Sequence, residues 1–224
     1  MPVLQLLLND NLYLRDPQDT ELGRKIVQES IAMIDALGFE KFTFKKLAIN
    51  IDSTEASIYR YFENKHKLLV YLISWYWNWL DYKIDYGTQN IDSPKKKLEI
   101  ALAIVSEKKM KDPFFPQIDE EALYRIVIVE SDKTYLTRQV DDDNKDGLFR
   151  GFKSLCKKLA DFITECNPNY KYPNSLISTV MQAAHHQLFY AQHLPSLTDL
   201  RNNKSMYKRN GEFLKEMVFS IIHA

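Results

Sequence analysis

The stretch GFEKFTFKKLAINIDSTEASIYRYFENKHKLL, residues 38–69, predicts two short helices, a tight turn and the start of a longer helix. Thr43 is placed to cap the first short helix, where Phe42 and Leu47 can form a hydrophobic staple. Three capping residues at positions 52–54 then replace the apolar run, so this helix must end there. Two short helices with so little chain between them cross steeply, which is the geometry of a helix-turn-helix.

Helical spacing resumes at residues 54–62, where Ile58 and Phe62 are placed to point inward. Asn64 then caps a further helix that begins at Lys65. The remaining side chains of this second short helix are expected on or near its outer surface: Glu55, Ser57, Tyr59, Arg60 and Tyr61.

These residues resemble the DNA-binding domain of the tetracycline-repressor (TetR) family of bacterial transcription regulators. The matching segments are Gly38-Phe39, Thr43-Phe44-Lys45-Lys46-Leu47-Ala48, Ser57-Ile58-Tyr59-Arg60-Tyr61-Phe62, Asn64-Lys65 and Leu68-Leu69. The chain departs from the family in the turn, where Asp52 replaces the usual Gly and Ser53 a small apolar residue. Because Asp tolerates the left-handed backbone conformation better than most residues, we expect the turn to be kept.

The resemblance implies an all-α fold in three parts. An N-terminal arm (1–16) precedes a three-helix DNA-binding unit (17–66), and a long connector helix leads into a helical domain for effector binding and dimerisation (67–224). By position in the family, the base-edge contacts are Glu55, Ser57 and Arg60. The phosphate contacts are Thr43, Lys45, Thr54, Tyr59, Tyr61 and Lys65.

In the resembling family the last two helices of each subunit form a four-helix dimer interface. The apolar stripes of the last two predicted helices supply the candidates Leu176, Val180, Ala184, Leu188, Leu214, Met217, Val218 and Ile221. A small apolar or aromatic effector is expected inside the helices after residue 87. The nominated pocket residues are Trp75, Trp79, Tyr82, Tyr124 and Phe152.

Composition fits a helical protein that is not a general polyanion binder. The 224 residues carry 30 basic and 30 acidic side chains, and contain only 6 Gly and 8 Pro. Between residues 41 and 67, six basic residues face three acidic ones, a modest positive balance for DNA. The two cysteines are expected to be reduced thiols. No run is long enough to span a membrane, and the apolar run at 3–8 lacks an export signal's basic region, so a cytoplasmic protein is expected.

Capping and periodicity predict the remaining helices. Asp16 caps a first helix that starts at Pro17 and ends at Gly38, and the connector helix 64–86 carries an apolar and an aromatic stripe. Two interpretations of the aromatic stripe (Tyr71, Trp75, Trp79, Tyr82 and Tyr86) stay open: core packing, or part of a pocket wall. Further helices are predicted at 93–111, 118–131 (central and buried), 148–166, 174–193 and 205–222, with a polar loop at 140–147. Residues 1–15 are an arm packed on the body, an arm that reaches the minor groove, or a disordered leader.

Two sequence patterns resemble metal sites but are not expected to bind a metal ion. Residues 142–147 imitate an EF-hand loop, but Arg150 and Lys153 occupy ligand positions and would repel calcium. On the helix of His185, His186 and His193, no Cys, Asp or Glu completes a tetrahedral ligand set, so neither a metal nor a cofactor is expected. The predicted function is a ligand-responsive transcriptional regulator that acts as a repressor, as a homodimer on a palindromic operator, and not as an enzyme. Two alternatives stay open: a helical small-molecule-binding dimer that has lost sequence-specific DNA binding, and a small helical enzyme acting on an apolar substrate.

Overall fold

The computed structural model describes residues 5–223, and every regular element among them is helical, as predicted. Eleven α-helices occur in this described range, with single 3-10 turns at Asp10–Leu12, Pro17–Asp19 and Pro195–Leu197. The α-helices are α1 (Glu21–Leu37), α2 (Phe44–Asn50), α3 (Glu55–Tyr59), α4 (Lys65–Thr88), α5 (Pro94–Ser106), α6 (Glu120–Glu130), α7 (Asp132–Tyr135), α8 (Val140–Lys145), α9 (Arg150–Cys166), α10 (Pro173–His193) and α11 (Met206–Ile222).

The chain packs as two compact units. Within the described residues, unit 1 comprises 5–78 and 109–151, and unit 2 comprises 79–108 and 152–223. Each unit is therefore built from segments that are distant in sequence, and α4 contributes its first half to unit 1 and its second half to unit 2. The predicted boundary between residues 66 and 67 came from the motif, and as a division of function it stays a prediction. Packing divides the chain after residues 78, 108 and 151 instead.

Helix α1 begins later than predicted because its start is built in two steps. The Asp16 carboxylate accepts a hydrogen bond from the Gln18 N–H (2.8 Å) and caps only one 3-10 turn. The Thr20 hydroxyl then caps α1 by accepting from the Gly23 N–H (3.0 Å). A Cβ on residue 23 would lie 2.4 Å from the carbonyl oxygen of Pro17, so only glycine admits this close approach. At the other end, Gly38 terminates the helix as predicted, with φ +79°.

Residues 5–16 pack against unit 1, the first of the three possibilities for the N-terminal arm. Leu12 is buried, and the Leu14 N–H donates to the carbonyl oxygen of Tyr61 (2.8 Å). The amide nitrogens of Asn9 and Asn11 both donate to the carbonyl oxygen of Asp146, at 3.0 and 2.9 Å. The first two residues of the apolar run at 3–8 lie outside the described residues.

Residues 68–77 of α4 are buried on all sides, as the two stripes of this helix predict. In unit 1, Trp75 meets Phe115 edge-on with centroids 5.3 Å apart, and Tyr76 stacks on Tyr124 at 5.6 Å. The prediction fails at the end of the aromatic stripe, where Tyr86 is 74% exposed. The final turns of α4 are covered on fewer sides than the first ones, so helical spacing alone did not determine the burial of Tyr86.

Three other predicted segments differ from the structure. Helix α5 ends at Ser106, not near 111, because Glu107 adopts an extended backbone after the Ser106 hydroxyl bonds the Leu102 carbonyl (2.8 Å). Helix α6 begins at Glu120 behind an Asp119 cap, and Val129 near its end is exposed, so this helix is only partly enclosed. The predicted polar loop at 140–147 contains the short helix α8.

Candidate nucleic-acid interface

Helix α2 is fixed by the cap and apolar contacts that its sequence predicts. The Thr43 hydroxyl accepts a hydrogen bond from the Lys46 N–H at 3.2 Å. Phe42 and Leu47, the two residues of the predicted staple, are both fully buried, while Thr43 and Lys45 are exposed. The polar face of α2 is therefore left open to a partner.

The turn between α2 and α3 keeps the geometry of a helix-turn-helix without its usual glycine. Asp52 adopts the left-handed conformation with φ +54°, as the sequence predicted. The Ser53 N–H donates to the Ala48 carbonyl at 2.9 Å, which closes the end of α2. The ammonium group of Lys25 on α1 donates to the carbonyl of Ile51 at 3.0 Å, which links the turn to α1.

Helix α3 presents a short exposed face. The Thr54 hydroxyl accepts from the Ser57 N–H (3.2 Å) and lies 2.9 Å from the Ser57 hydroxyl, which occupies part of the bonding capacity of both. Ile58 is buried, as predicted, and the ring of Tyr59 rests edge-on against Phe44, with centroids 5.0 Å apart. Of the nominated contacts in this stretch, Thr54, Glu55, Tyr59 and Arg60 are exposed and Ser57 is half-buried.

Tyr61 does not lie on the surface, so that part of the prediction is wrong. Its side chain is only 2% exposed, and its hydroxyl is 2.7 Å from the hydroxyl of Thr20 at the start of α1. Regular helix ends at Tyr59, and the chain turns inward at the residues that follow. Because of this change of direction, Tyr61 connects the end of α3 to the start of α1. Its buried side chain does not lie on the surface where a phosphate contact was predicted.

Two lysines of the motif are used inside the protein. The Lys65 ammonium lies within 3.5 Å of the carbonyl oxygens of Phe39, Glu40 and Phe42, so it braces the α1–α2 loop. Lys67 forms an ion pair with the buried carboxylate of Asp143 at 3.3 Å. The exposed charges that remain in this stretch are those of Lys41, Lys45, Lys46 and Arg60 against those of Asp52, Glu55 and Glu63. The local positive balance is therefore weaker than the sequence count suggested.

Helix α6 braces the same loop. The Glu130 carboxylate accepts from the Phe39 N–H at 3.1 Å and pairs with Lys133 at 2.8 Å. Lys133 also bonds Glu40 at 2.8 Å. The bonds to Glu130 and Glu40 raise the pKa of Lys133, and the bond to Lys133 lowers the pKa of Glu40. Sequence reasoning missed these residues, together with Lys25, because each contacts a group more than ten positions away along the chain.

The nominated dimer residues are mostly inside the protomer, which corrects that prediction. Leu176, Val180, Ala184, Leu188, Leu214 and Val218 are each buried in unit 2, where α10 and α11 pack on one another and on α5. Only Met217, half-buried, and Ile221, 41% exposed, can meet a partner. With Phe213, 40% exposed, they form an i, i+4, i+8 apolar stripe along α11.

The nominated pocket residues occupy different places. Trp75 and Tyr124 are buried in the core of unit 1, and Trp79 is buried in unit 2 with the Lys83 ammonium 5.2 Å from its ring centroid. Tyr82 and Phe152 line two separate open cavities of unit 2. The Tyr82 cavity, about 510 Å³, is also lined by Asp85, Tyr86, Thr88, Gln89, Lys97, Lys158 and Phe162. The Phe152 cavity, about 560 Å³, is also lined by Lys153, Cys156, Lys157, Asn174, Ser175 and Ser178.

Electrostatics differ between these two cavities. Beside the first, the Lys158 ammonium bonds both Asp81 (2.6 Å) and Asp85 (2.5 Å), while burial raises the pKa of Asp81. Beside the second, burial raises the pKa of the Cys156 thiol to about 12, so this cysteine is protonated and a poor nucleophile. Both cysteines are free thiols.

Within residues 5–223, no three His, Cys, Asp or Glu side chains are grouped as ligands of a metal ion, and no helix is long and apolar enough to cross a membrane. In the EF-hand-like stretch, the buried Asp143 carboxylate lies 3.3 Å from the Lys67 ammonium and 3.4 Å from the His66 ring nitrogen.

Comparison with known proteins shows the fold. No family model matches the chain, and no curated protein matches it by sequence. Among solved structures, it is similar to AibR in complex with isovaleryl coenzyme A and operator DNA (13% identity, TM-score 0.60, covering 88% of this chain and 98% of AibR). It is also similar to the fatty acid degradation regulator FadR from Bacillus halodurans (14%, 0.61, 87% and 92%). A third similar structure is a protein from Mesorhizobium loti MAFF303099 assigned to the TetR family of transcriptional regulators (13%, 0.51, 89% and 94%).

Proposed function

We propose that this chain, which has the fold of TetR-family regulators, is a ligand-responsive DNA-binding transcriptional regulator. In this proposal it acts as a repressor, as a homodimer on a palindromic operator. The observation that carries the proposal is the preformed pair α2 and α3, which leaves Thr54, Glu55, Tyr59 and Arg60 exposed on one capped, short helix. A similar fold in AibR has been crystallised with operator DNA, which supports the same use of this surface.

In this proposal α3 enters the major groove. Arg60 and Glu55 reach base edges, since a guanidinium suits guanine and a carboxylate can accept from the amino group of cytosine. Tyr59, Thr43 and Lys45 contact phosphates and set the register of the protein on the duplex. Because one such unit reads only a few base pairs, two copies related by a two-fold axis are needed to define a site.

The dimer face in this proposal consists of the exposed apolar residues of α10 and α11. The apolar stripe of Phe213, Met217 and Ile221 on α11 is a surface that a second copy would cover. On α10, Phe189 lies against His193 with ring centroids 4.6 Å apart, and both remain accessible to solvent. Aromatic residues and methionine are typical of the centre of such interfaces.

An effector would act by favouring one arrangement of the two recognition helices. It can change DNA affinity only by binding one arrangement more tightly than the other. The structure of AibR with isovaleryl coenzyme A supports a small-molecule effector, and the unit 2 cavities lined by Tyr82 and Phe152 are candidate sites.

A second candidate is a helical small-molecule-binding dimer without sequence-specific DNA binding. The internal use of Lys65 and Lys67 and the exposed carboxylates of Asp52 and Glu55 favour it, because they leave little excess positive charge on this surface.

The test is equilibrium binding to the upstream DNA of the protein's own gene and to random DNA across a salt series. For a regulator we expect selective binding with a steep salt slope, lost in Arg60→Ala and reduced in Tyr59→Ala. The matched control is Arg201→Ala, since Arg201 is exposed on a unit 2 loop. Equal, weak binding to both DNAs that is unchanged by Arg60→Ala would instead select the second candidate.

A further inference from the structure

We infer that Arg15, on the N-terminal arm, is an additional DNA-phosphate contact, and that residues 9–14 form a strap that holds it beside the recognition helix. This inference rests on the proposed function, and nothing in the pattern of the motif indicates it. The strap is defined here as Asn9 to Leu14, the segment of the arm that is fixed to unit 1 immediately before Arg15.

The first anchor of the strap lies at the turn between α8 and α9. The Asn9 amide nitrogen donates to the carbonyl oxygens of Asp146 (3.0 Å) and Gly147 (2.9 Å). Asn11 adds a third bond, from its amide nitrogen to the Asp146 carbonyl at 2.9 Å. These bonds span more than 130 positions of sequence and fix the beginning of the strap.

The second anchor lies at the end of the recognition helix. The Leu14 N–H donates to the carbonyl oxygen of Tyr61 at 2.8 Å, two residues after the end of α3. Between the anchors, Leu12 is buried and the ring of Tyr13 lies edge-on to that of Tyr71 on α4, with centroids 6.2 Å apart. A segment bonded at both ends and packed in its middle loses little further entropy when its next residue meets DNA.

Arg15 therefore emerges at a defined place. Its guanidinium lies over the ring of Tyr61, 5.6 Å from the centroid, and its side chain is exposed. Tyr61 directly follows Arg60, so the two arginines flank one buried tyrosine at the end of the recognition helix. A guanidinium held on an aromatic face retains its edge donors for a phosphate oxygen.

Charge makes this residue matter more than a single surface arginine would. Arg15 is the only basic residue between positions 5 and 23, where Asp10, Asp16, Asp19 and Glu21 are acidic. Without its guanidinium, the carboxylates of this segment would be less compensated and would repel the phosphate backbone more strongly.

The test uses the full chain and measures affinity against salt concentration for a selected operator and for random DNA. Each phosphate contact contributes roughly 0.9 to the slope of log K against log salt, so Arg15→Gln in a dimer should flatten the slope by about 1.8. Because a phosphate contact carries no sequence information, affinity should fall equally on both DNAs, while Arg60→Gln should relax selectivity. Arg15→Lys should restore most of the slope.

Two controls separate direct contact from loss of structure. Arg201→Gln, which removes an exposed arginine of unit 2, should leave the slope unchanged. The strap variant Asn9→Ala/Asn11→Ala should weaken DNA binding, and adding Arg15→Gln to it should weaken binding by less than Arg15→Gln does alone, because both act through the same guanidinium.

The outcomes are distinct. A wild-type slope in Arg15→Gln, with selective operator binding intact, would overturn this inference and leave the proposed function standing. Additive effects of the strap and Arg15 variants would overturn the positioning role of the strap. No salt-dependent DNA binding by the wild-type protein would overturn both the inference and the proposed function.

Discussion

Residues 42–62 and the helices α10 and α11 are held together by different means. In residues 42–62, the hydroxyls of Thr43 and Thr54 cap both short helices, and Asp52 supplies the left-handed residue of the turn. Neither α10 nor α11 has a side-chain cap at its start. Instead, the buried Asn210 of α11 donates to the Ala184 carbonyl of α10 at 2.9 Å, a bond across 26 positions.

The difference shows which contacts determine the structure of each region. Caps and turn residues act over three or four positions, so the helix starts and the turn within residues 42–62 are fixed by their immediate neighbours. In α10 and α11 some apolar residues are buried and others, such as Phe213 and Ile221, are exposed, and packing decides which of them become core. Substitutions should therefore affect stability differently in the two regions, and in α10 and α11 the effect should depend on whether the position is buried or exposed.

The largest effect is expected from the buried residues once nominated for the dimer face. Leu188→Ala should lower the free energy of unfolding by about 2–5 kcal/mol, because it opens a cavity inside unit 2. Ile221→Ala, at an exposed position, should instead weaken self-association and leave the protomer folded. Denaturant unfolding together with light scattering across protein concentrations distinguishes the two; a folded, monomeric Leu188→Ala would contradict the burial that divides these residues.

An effect of similar size is expected at Glu120, although no local sequence pattern predicted that this side chain is buried. The side chain is fully buried, its carboxylate accepts from the Asp112 N–H at 3.1 Å, and burial raises its pKa to about 7. The native state therefore binds the proton more tightly than the unfolded chain, and stability from this group is present below its unfolded pKa and lost as pH rises. Integrated from the ordinary value of 4.5 to about 7, the loss is about 3 kcal/mol.

The measurement is denaturant unfolding of the wild type and Glu120→Gln between pH 4.5 and 8. The glutamine retains an acceptor for the Asp112 N–H without a titrating proton. We expect the difference in unfolding free energy to move in favour of Glu120→Gln as pH rises to about 7 and then to level off. Parallel stability curves for the two proteins would show that this carboxylate does not titrate on folding.

The smallest effect is expected in the helix-turn-helix, where several local contacts share the work. Thr54→Ala removes the cap of α3 and should cost about 1 kcal/mol. Thr54→Ser retains the accepting hydroxyl and should recover most of this. Thermal unfolding gives the stability, and amide exchange of residues 55–59 shows whether the loss is confined to α3. A cost equal to that of Leu188→Ala would remove the distinction between the two regions.

Most of the candidate interface could be predicted from sequence, since its signals are short-range. The caps Thr43 and Thr54, the left-handed Asp52 and the inward Ile58 all depend on neighbours within one helical turn. The exceptions are Tyr61 and Lys65, whose polar ends bind groups 41 and up to 26 positions away. Their roles were set by partners that the motif does not contain.

The sequence by itself determined that the chain is helical and where most helices begin and end, because capping and periodicity act within a few residues. Tertiary structure alone decided which face of α10 and α11 became core, that α4 contributes to two units, and that residues 9–14 pack beside the recognition helix. The physical reason is that burial depends on what covers a side chain. The covering residues, such as the turn at Asp146 for Asn9, lie far away along the chain.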